Sequence, residues 1–184
     1  ILRLRRVCGV FFILTFLPGS NIINKEILIR KEGIPMEKKN IDWASLGFGY
    51  METDYSFVSY YKDGKWDDGA LTSDHTVTLN ECAGVFQYAQ TCFEGLKAYT
   101  TEDGRIVTFR PDLNAQRMED SALRLKMPVY PKDKFIEAVK MVVKANAAYV
   151  PPFGSGATLY IRPYLMGTNA VIGVKPATEY MFRI

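Results

Sequence analysis

Two Asp-Gly pairs, each set between runs of β-forming residues, place the strongest constraint on how this 184-residue chain can fold. Asp63-Gly64 follows an aromatic-rich run at residues 48–61, and Asp103-Gly104 separates the runs LKAYT and RIVTFR. A tight hairpin turn needs positive φ at both central positions, a conformation that Asp and Gly tolerate. Both sites therefore predict β-hairpins, and strands joined by hairpins are antiparallel.

Three segments have the apolar spacing of helices, in which residues three or four apart share a face. The first is residues 83–92. The second begins at Pro111-Asp112, with Pro favoured in the first turn and Asp favourable to the helix dipole, and it ends near Met127. The third is residues 132–150, whose apolar stripe is Ile136, Val139, Val143 and Ala147.

Further β-forming runs lie between and after these helices, at residues 75–80, 157–168 and 178–184. Strands linked by hairpins, with helices grouped between them, indicate an α+β protein rather than a βαβ alternation. We predict a mostly antiparallel sheet flanked by helices. The final run reaches Ile184 without a turn or polar tail, which we interpret as truncation, and an edge strand is the alternative.

The first 35 residues combine a basic start, an apolar run and a Pro-Gly-Ser segment, which is the pattern of a signal peptide. A second interpretation is translated upstream sequence, because Lys31-Glu32-Gly33 can be encoded by a purine tract that resembles a bacterial ribosome-binding site shortly before Met36. On either interpretation we predict that residues 1–35 are not part of the fold. Their apolar run is too short for an ordinary membrane span, so no membrane partner is expected.

The net charge of +3 is unevenly distributed along the chain. Residues 1–35 carry a net charge of +4, so the remaining residues carry −1. The folded part therefore lacks the basic excess that nucleic-acid binding requires, and no nucleic-acid partner is expected.

The three cysteines, Cys8, Cys82 and Cys92, form no CxxC pair. An odd number without metal spacing favours neither a disulfide framework nor a zinc site, and no metal is expected. A reducing compartment is the simplest interpretation, so we predict a cytoplasmic protein. The single histidine, His75, has no partner cluster in the sequence and is interpreted as a surface residue.

Tyr160 and Arg162, in the run TLYIRPYL, are the most informative candidate pair for chemistry. Residues two apart in a strand point to the same face, so a phenol and a guanidinium would lie side by side. Together they suit a carboxylate, since Arg offers a planar fork of donors and Tyr adds one more. A solvent-facing Arg beside a half-buried Tyr has the same spacing, and spacing alone favours it.

Three ordered motifs resemble the N-terminal half of branched-chain amino-acid aminotransferases, which are pyridoxal-phosphate enzymes of fold type IV. They are FQYAQTCFEGLKAY, VTFRPDLNAQRMEDSALRL and GATLYIRPYLMGTNAVIGVKP. The resemblance runs from about Asp42 to Ile184. It implies a small aminotransferase domain at residues 36–168, then an interdomain linker and the start of a truncated large domain at residues 169–184.

The resemblance also implies site residues. Arg117 matches the arginine that contacts the phosphate of pyridoxal 5'-phosphate, and Arg162 matches the one that receives the second carboxylate of glutamate. Two further positions match a region that reaches the active site of the neighbouring subunit, Ile172 and Val174, so a homodimer is implied. The matched aromatic positions of the side-chain pocket are Phe48, Tyr88, Phe93 and Tyr160. Tyr88 also reaches the neighbouring subunit in the family.

The implied reaction is amino transfer between leucine, isoleucine or valine and 2-oxoglutarate. The family's Schiff-base lysine is expected beyond Ile184, so the resemblance assigns no catalytic residue to this chain, and we expect the chain alone to be inactive. Two alternatives stay open. One is another fold type IV enzyme, such as a D-amino-acid aminotransferase or a lyase, and the other is a non-catalytic binding or dimerisation module. In the Phe-Glu-Gly motif, Gly95 is expected to permit a sharp turn and Glu94 to make a structural hydrogen bond.

Overall fold

The structure, a computed structural model, describes the backbone of Glu26–Arg30 and all of residues 37–184. This part of the chain forms ten strands, three α-helices and a short 3-10 turn at Ala147–Tyr149. The helices are α1 (Gly84–Tyr88), α2 (Pro111–Arg124) and α3 (Lys132–Ala145). The strands are β1 (Glu26–Arg30), β2 (Ser56–Lys62), β3 (Lys65–Trp66), β4 (Ala70–Thr72), β5 (Thr91–Phe93), β6 (Leu96–Thr100), β7 (Ile106–Phe109), β8 (Leu159–Ile161), β9 (Tyr164–Gly167) and β10 (Tyr180–Arg183).

The described strands form two sheets. One has the order β1-β7-β6-β8, and the other has the order β3-β2-β10-β9-β5 with β4 also paired to β2. Every pairing in these two sheets is antiparallel. Helices α2 and α3 contact each other, and α3 also contacts β1 and β2. The predicted α+β class with antiparallel strands is therefore confirmed.

Both predicted hairpins form. Asp63 and Gly64 both have positive φ, at 50° and 80°, and they join β2 to β3 with Lys62 opposite Lys65. The second hairpin joins β6 to β7, but only its Gly104 has a positive φ, at 78°, and Asp103 does not. The loop is longer than a two-residue turn, since the Gly104 N–H donates to the Thr101 carbonyl at 3.0 Å and the Thr101 N–H donates to the Arg105 carbonyl at 2.9 Å. In each case local backbone preference sets the turn, and the turn then sets the register of the strands.

Local sequence also explains the two long helices. Helix α2 begins with Pro111 in its first turn, and the Arg110 guanidinium binds the Asp112 carboxylate at 2.6 Å and holds the pKa of that carboxyl below its ordinary value. Helix α3 begins after Pro131 and buries Val139 and Val143, two members of the predicted stripe. Both helices lie where the sequence placed them, although α3 ends at Ala145, five residues before the predicted end.

Three predicted elements differ from the structure. Residues 48–55 are not a strand, because the Asn146 side chain takes both the N–H and the carbonyl of Tyr55. Residues 75–80 are not a strand either, since Arg183 donates to the carbonyls of Asp74 and Thr76. The helix predicted at residues 83–92 is only Gly84–Tyr88.

The short helix ends because the chain is drawn into a sheet. Ala89 has a left-handed conformation with a φ of 48°, and it terminates α1. Thr91, Cys92 and Phe93 then pair with β9 as strand β5. Backbone pairing with a distant strand thus replaces the last turn that the apolar spacing predicted.

The predicted strand at residues 157–168 is divided between the two sheets. Strand β8 ends at Ile161, Arg162 and Pro163 follow, and β9 begins at Tyr164 in the other sheet. Pro has no N–H to donate to a strand ladder and restricts the residue before it, so it suits this change of sheet.

The domain boundary predicted at residue 168 stays a prediction, although the strand that follows it pairs with strands that precede it. Strand β10, predicted to lie in a linker or in the start of a second domain, is in the middle of the six-stranded sheet between β2 and β9. Its Phe182 is 0% exposed and packs in the main core with Phe57, Tyr130 and Phe135. Strand β10 therefore completes the core that α3 covers.

The N-terminal segment is only partly described. Glu26–Arg30 pairs with β7, so this stretch belongs to the four-stranded sheet although we predicted that residues 1–35 lie outside the fold. The other residues of 1–35, including Cys8 and the apolar run, lie outside the described residues. Within the part that is described, no helix is long and apolar enough to cross a membrane.

Candidate functional site

The candidate site lies where the chain passes twice between the two sheets. Glu94-Gly95 connects β5 of the six-stranded sheet to β6 of the four-stranded sheet. Arg162-Pro163 connects β8 to β9 and makes the reverse passage. The two passages lie side by side, because the Glu94 N–H donates to the Pro163 carbonyl at 2.8 Å.

Strand register extends this pairing on both sides. Phe93 is opposite Tyr164, and Leu96 is opposite Ile161. The Phe-Glu-Gly motif therefore runs antiparallel to the Arg162-Pro163 segment. Residues far apart in sequence meet here because two pairs of strands share one junction.

Tyr160 and Arg162 contact each other directly. The Arg162 guanidinium donates from Nε and Nη2 to the Tyr160 phenol oxygen, at 3.1 and 2.9 Å. The spacing in the sequence predicted this proximity. Two donors on one oxygen hold the planar guanidinium in a defined orientation, and Nη1 is not part of this contact.

Aromatic rings surround this pair. The centre of the Arg162 guanidinium lies 4.3 Å from the centroid of the Phe93 ring, which is a cation–π distance. Phe48 makes an edge contact with Tyr160 at 5.2 Å between centroids, and 85% of Phe48 is exposed. The structure therefore brings together Phe48, Phe93, Tyr160 and Arg162, and their roles in substrate binding stay predictions.

A cavity of about 520 Å³ extends from this cluster toward helix α3. Phe48, Tyr160 and Arg162 line it at one end, and Ser56 and His75 also belong to its wall. The His75 ring nitrogen Nδ1 lies 3.0 Å from the Ser56 hydroxyl, so this histidine is half-buried rather than a free surface residue. The sequence did not predict this contact, because His75 is the only histidine and lies in a turn-like stretch.

The segment that carries Phe48 is anchored at its C-terminal end. Asp54 accepts a hydrogen bond from the Tyr149 hydroxyl at 2.7 Å and pairs with Lys39 at 3.2 Å. The Tyr149 hydrogen bond is the main cause that lowers the pKa of the Asp54 carboxyl. These contacts, with those of Asn146 to Tyr55, fix the segment to the end of α3.

Glu94 makes the structural hydrogen bonds that we expected of it. Its carboxylate accepts from Arg117 Nε at 3.1 Å and Nη2 at 2.7 Å, and from Asn114 at 2.8 Å. The Glu94 side chain is 11% exposed, whereas that of Arg117 is 57% exposed. Arg117 therefore pairs with the Glu94 carboxylate, which lies 23 residues away in the sequence. Asn114, which also binds the Gly95 carbonyl, was missed because Asn on a helix is usually a surface residue.

Gly95 is not needed for the sharp turn that we expected, and a different feature explains why glycine occupies this position. Its φ is not positive, so a residue with a side chain could adopt its backbone conformation. A Cβ at this position would instead lie 2.5 Å from the Tyr160 phenol oxygen. The motif therefore requires glycine because the Tyr160 phenol, which binds Arg162, occupies the place where a side chain would lie.

The remaining predicted site residues form a second group. The Tyr88 hydroxyl donates to the carbonyl of Ile172, and the Ile172 and Val174 side chains are exposed. Ile172 and Val174 line a cavity different from the one that Tyr160 lines. Within this chain the predicted site thus divides into two groups, and the role of Tyr88, Ile172 and Val174 stays a prediction.

The residues present are compatible with a phosphate-bearing cofactor. Arg117 binds Glu94 through Nε and Nη2, and its Nη1 has no hydrogen-bond partner among the described residues. Guanidinium groups suit phosphate because their donors match its oxygens. No group of three or more His, Cys, Asp or Glu in the described part could hold a metal ion.

Cys92, in β5 beside Glu94, is expected to react slowly with alkylating reagents. Burial, aided by the Glu94 charge, raises the pKa of its thiol to about 11 from 9.0. Because the thiolate is the reactive form, iodoacetamide at pH 8 should modify Cys92 about 100-fold more slowly in the native chain than in urea. A Cys8→Ser background and mass spectrometry of Cys92 measure this, with Cys82 as an internal reference. Equal rates with and without urea would contradict the prediction.

Comparison with solved structures defines the class of this fold. A T.th. branched-chain amino acid aminotransferase, complexed with N-(5'-phosphopyridoxyl)-L-glutamate, matches 73% of this chain over 41% of its own length, with a TM-score of 0.55 and 24% identity. The Escherichia coli branched-chain amino acid aminotransferase matches 71% of this chain over 40% of its own length, with a TM-score of 0.54 and 24% identity. The described fold is therefore that of the corresponding part of these aminotransferases.

Sequence comparison also finds branched-chain aminotransferases as relatives of this chain. The Haemophilus influenzae branched-chain-amino-acid aminotransferase is 52% identical over 146 residues, which are 79% of this chain and 43% of that protein. The Helicobacter pylori protein of the same name is 45% identical over 144 residues, 78% of this chain and 42% of that protein. This chain is a homologue of the branched-chain amino-acid aminotransferases and spans about two fifths of their length. No family model matches the chain.

Proposed function

We propose that this chain supplies the substrate side-chain pocket of a pyridoxal-phosphate-dependent branched-chain aminotransferase. The reaction would transfer the amino group between leucine, isoleucine or valine and 2-oxoglutarate, in branched-chain amino-acid metabolism. The observation that carries this proposal is the Arg162 guanidinium, held by two hydrogen bonds to the Tyr160 phenol and packed on the Phe93 ring. This arrangement offers apolar surface and a cation at the same place.

Aliphatic side chains would bind against the aromatic surface. The rings of Phe48 and Phe93 are largely exposed, so they are available to a ligand. Each methylene that a substrate buries against them contributes about 0.8 kcal/mol. Leucine, isoleucine and valine differ from alanine by two or three carbon atoms, so this term favours them by roughly 2 kcal/mol.

The second carboxylate of glutamate or 2-oxoglutarate would bind Arg162. Guanidinium and carboxylate groups form strong, charge-assisted hydrogen bonds, and Tyr160 limits the rotation of the guanidinium before the substrate arrives. One pocket can then accept an aliphatic side chain and an anionic one in turn.

Arg117 would hold the cofactor phosphate, and its pairing with Glu94 and the position of α2 fix the side chain near the junction of the sheets. Bound pyridoxal phosphate supplies the electron-accepting ring that transamination requires. The T.th. branched-chain aminotransferase has been solved with a phosphopyridoxyl-glutamate adduct and with 4-methylvaleric acid, which supports a site for both kinds of side chain.

The second group of residues would lie at a homodimer interface. Ile172 and Val174 are 66% and 94% exposed, and Tyr88 is tied to the same loop. Exposed apolar side chains in one loop favour contact with another protein surface. The cytoplasm is the proposed compartment, supported by the free thiols of Cys82 and Cys92.

Steady-state assays of the whole protein, loaded with pyridoxal phosphate, test the proposal. We expect turnover of leucine, isoleucine and valine with 2-oxoglutarate, and we expect no transaminase activity from the 184-residue chain alone after host enzymes are removed. Turnover of D-amino acids instead would favour another fold type IV enzyme. Absence of turnover with every amino acid would favour a binding module.

A further inference from the structure

Gly95 lies directly below the group that holds Arg162. In the register of β6 and β8, Lys97 is opposite Tyr160, so Gly95, two residues before Lys97, is the diagonal neighbour of Tyr160 on the same face. The Tyr160 ring covers this position. The space above Gly95 is therefore filled by the phenol.

The fit between the two residues leaves no room for a side chain. A Cβ on Gly95 would lie 2.5 Å from the phenol oxygen and 3.2 Å from the ring carbons Cε2 and Cζ. The nearest atom is the end of a side chain, which can move away at low cost. The same oxygen accepts both hydrogen bonds from Arg162, so any such movement breaks or bends those bonds.

We propose that Gly95 is a positioning residue that determines specificity for dicarboxylate substrates. The missing side chain sets the Tyr160 phenol where it orients Arg162, and the oriented guanidinium selects ligands with a second carboxylate over aliphatic ones. This inference rests on the proposed function, because it assigns Gly95 to the same pocket.

Gly167 is a matched control within the chain. A Cβ there would lie 2.8 Å from the Ala177 Cβ and 2.9 Å from the Gln90 amide oxygen, so alanine would also be crowded. Among the described residues, neither Ala177 nor Gln90 forms a hydrogen bond with Arg162 or Tyr160. Gly167→Ala should therefore lower stability without changing substrate preference.

The first experiment measures kcat/KM of the holoenzyme for 2-oxoglutarate and for 4-methyl-2-oxopentanoate, the aliphatic oxo acid. Gly95→Ala should lower the value for 2-oxoglutarate by about 10-fold relative to the aliphatic oxo acid, which corresponds to loss of one charge-assisted hydrogen bond. Gly167→Ala should keep the wild-type ratio. An unchanged ratio in Gly95→Ala would overturn the proposal.

The second experiment measures melting temperatures of the 184-residue chain and needs no activity. Gly95→Ala should lower the melting temperature by about 2–4 °C, and Tyr160→Phe in the same chain should recover most of that loss, because it removes the nearest atom. The double variant should still lack the substrate preference, since the phenol is gone. Additive shifts would show that Gly95 and Tyr160 do not interact and would also overturn the proposal.

The two experiments separate this inference from the function on which it rests. A wild-type holoenzyme that transaminates neither oxo acid would contradict the proposed function, while non-additive melting shifts would still support the position of Gly95 beneath the phenol. Normal wild-type activity with an unchanged ratio in Gly95→Ala would contradict only the role of Gly95.

Discussion

Replacement of Phe182 by alanine is expected to lower the free energy of unfolding by about 3–5 kcal/mol, the largest stability effect that we predict. Phe182 is fully buried in the central strand of the six-stranded sheet. Its ring stacks on Tyr130 at 3.8 Å and also contacts Phe57 and Phe135. Alanine would leave a cavity between two strands and α3 that rigid aromatic neighbours cannot fill.

Urea denaturation of the 184-residue chain, followed by circular dichroism, measures this change. The matched control is Phe109→Ala, since Phe109 is also a strand residue but is 50% exposed. The control should cost no more than about 1 kcal/mol, because little packing is lost. Equal losses at the two positions would contradict the assigned core.

Replacement of Arg162 by methionine is expected to have the largest effect on the proposed activity. Methionine keeps apolar contact with Phe93 but removes the cation, and a hydrogen bond to a charged group contributes about 1.5–3 kcal/mol. The holoenzyme's kcat/KM for 2-oxoglutarate should therefore fall roughly 10- to 100-fold. The value for leucine should change by less than about threefold, because its side chain makes no charge-assisted contact.

Steady-state kinetics with both substrates measures this split. Arg124→Met is a suitable control, since Arg124 lies in the exposed last turn of α2, away from the cavity wall. That variant should retain both activities. A fall in activity of the same size for leucine and 2-oxoglutarate would show that Arg162 maintains structure rather than selects a carboxylate.

The parts of the fold that were predicted correctly depend on local preferences. Asp63-Gly64 forms a turn because few other residues accept positive φ at consecutive positions, and at Asp103-Gly104 the glycine alone supplies the positive φ. Helix α2 begins at Pro111 for a similarly local reason. These features depend on residues near each other in sequence and are readable without the tertiary structure.

The incorrect predictions share a non-local cause. Residues 48–55 and 75–80 have β-forming composition, but distant side chains take their backbone groups: Asn146 binds Tyr55, and Arg183 binds the carbonyls of Asp74 and Thr76. The division of residues 157–168 between two sheets also depends on partners, since β8 pairs with β6 and β9 pairs with β10 and β5. Composition indicates that a segment can pair and not which partner it has.

The candidate site also contains some contacts that the sequence predicted and others that depend on distant partners. The spacing of Tyr160 and Arg162 predicted that the two side chains would meet, and they do, although β8 ends at Ile161 and Arg162 lies one residue beyond it. The partner of Arg117 was not predictable, since Glu94 lies 23 residues away on another element. The space that Gly95 provides for Tyr160 depends on the same long-range pairing.

The hairpins, the two long helices, the antiparallel class and the resemblance to branched-chain aminotransferases could be predicted from residue types and short spacings. The central place of β10, the double passage between the sheets and the contacts of Phe93, Glu94 and Gly95 with Arg162, Arg117 and Tyr160 became visible only in the folded chain. Packing of the whole core selects the partners of each strand, so side chains separated by tens of residues become neighbours only when both sheets have formed.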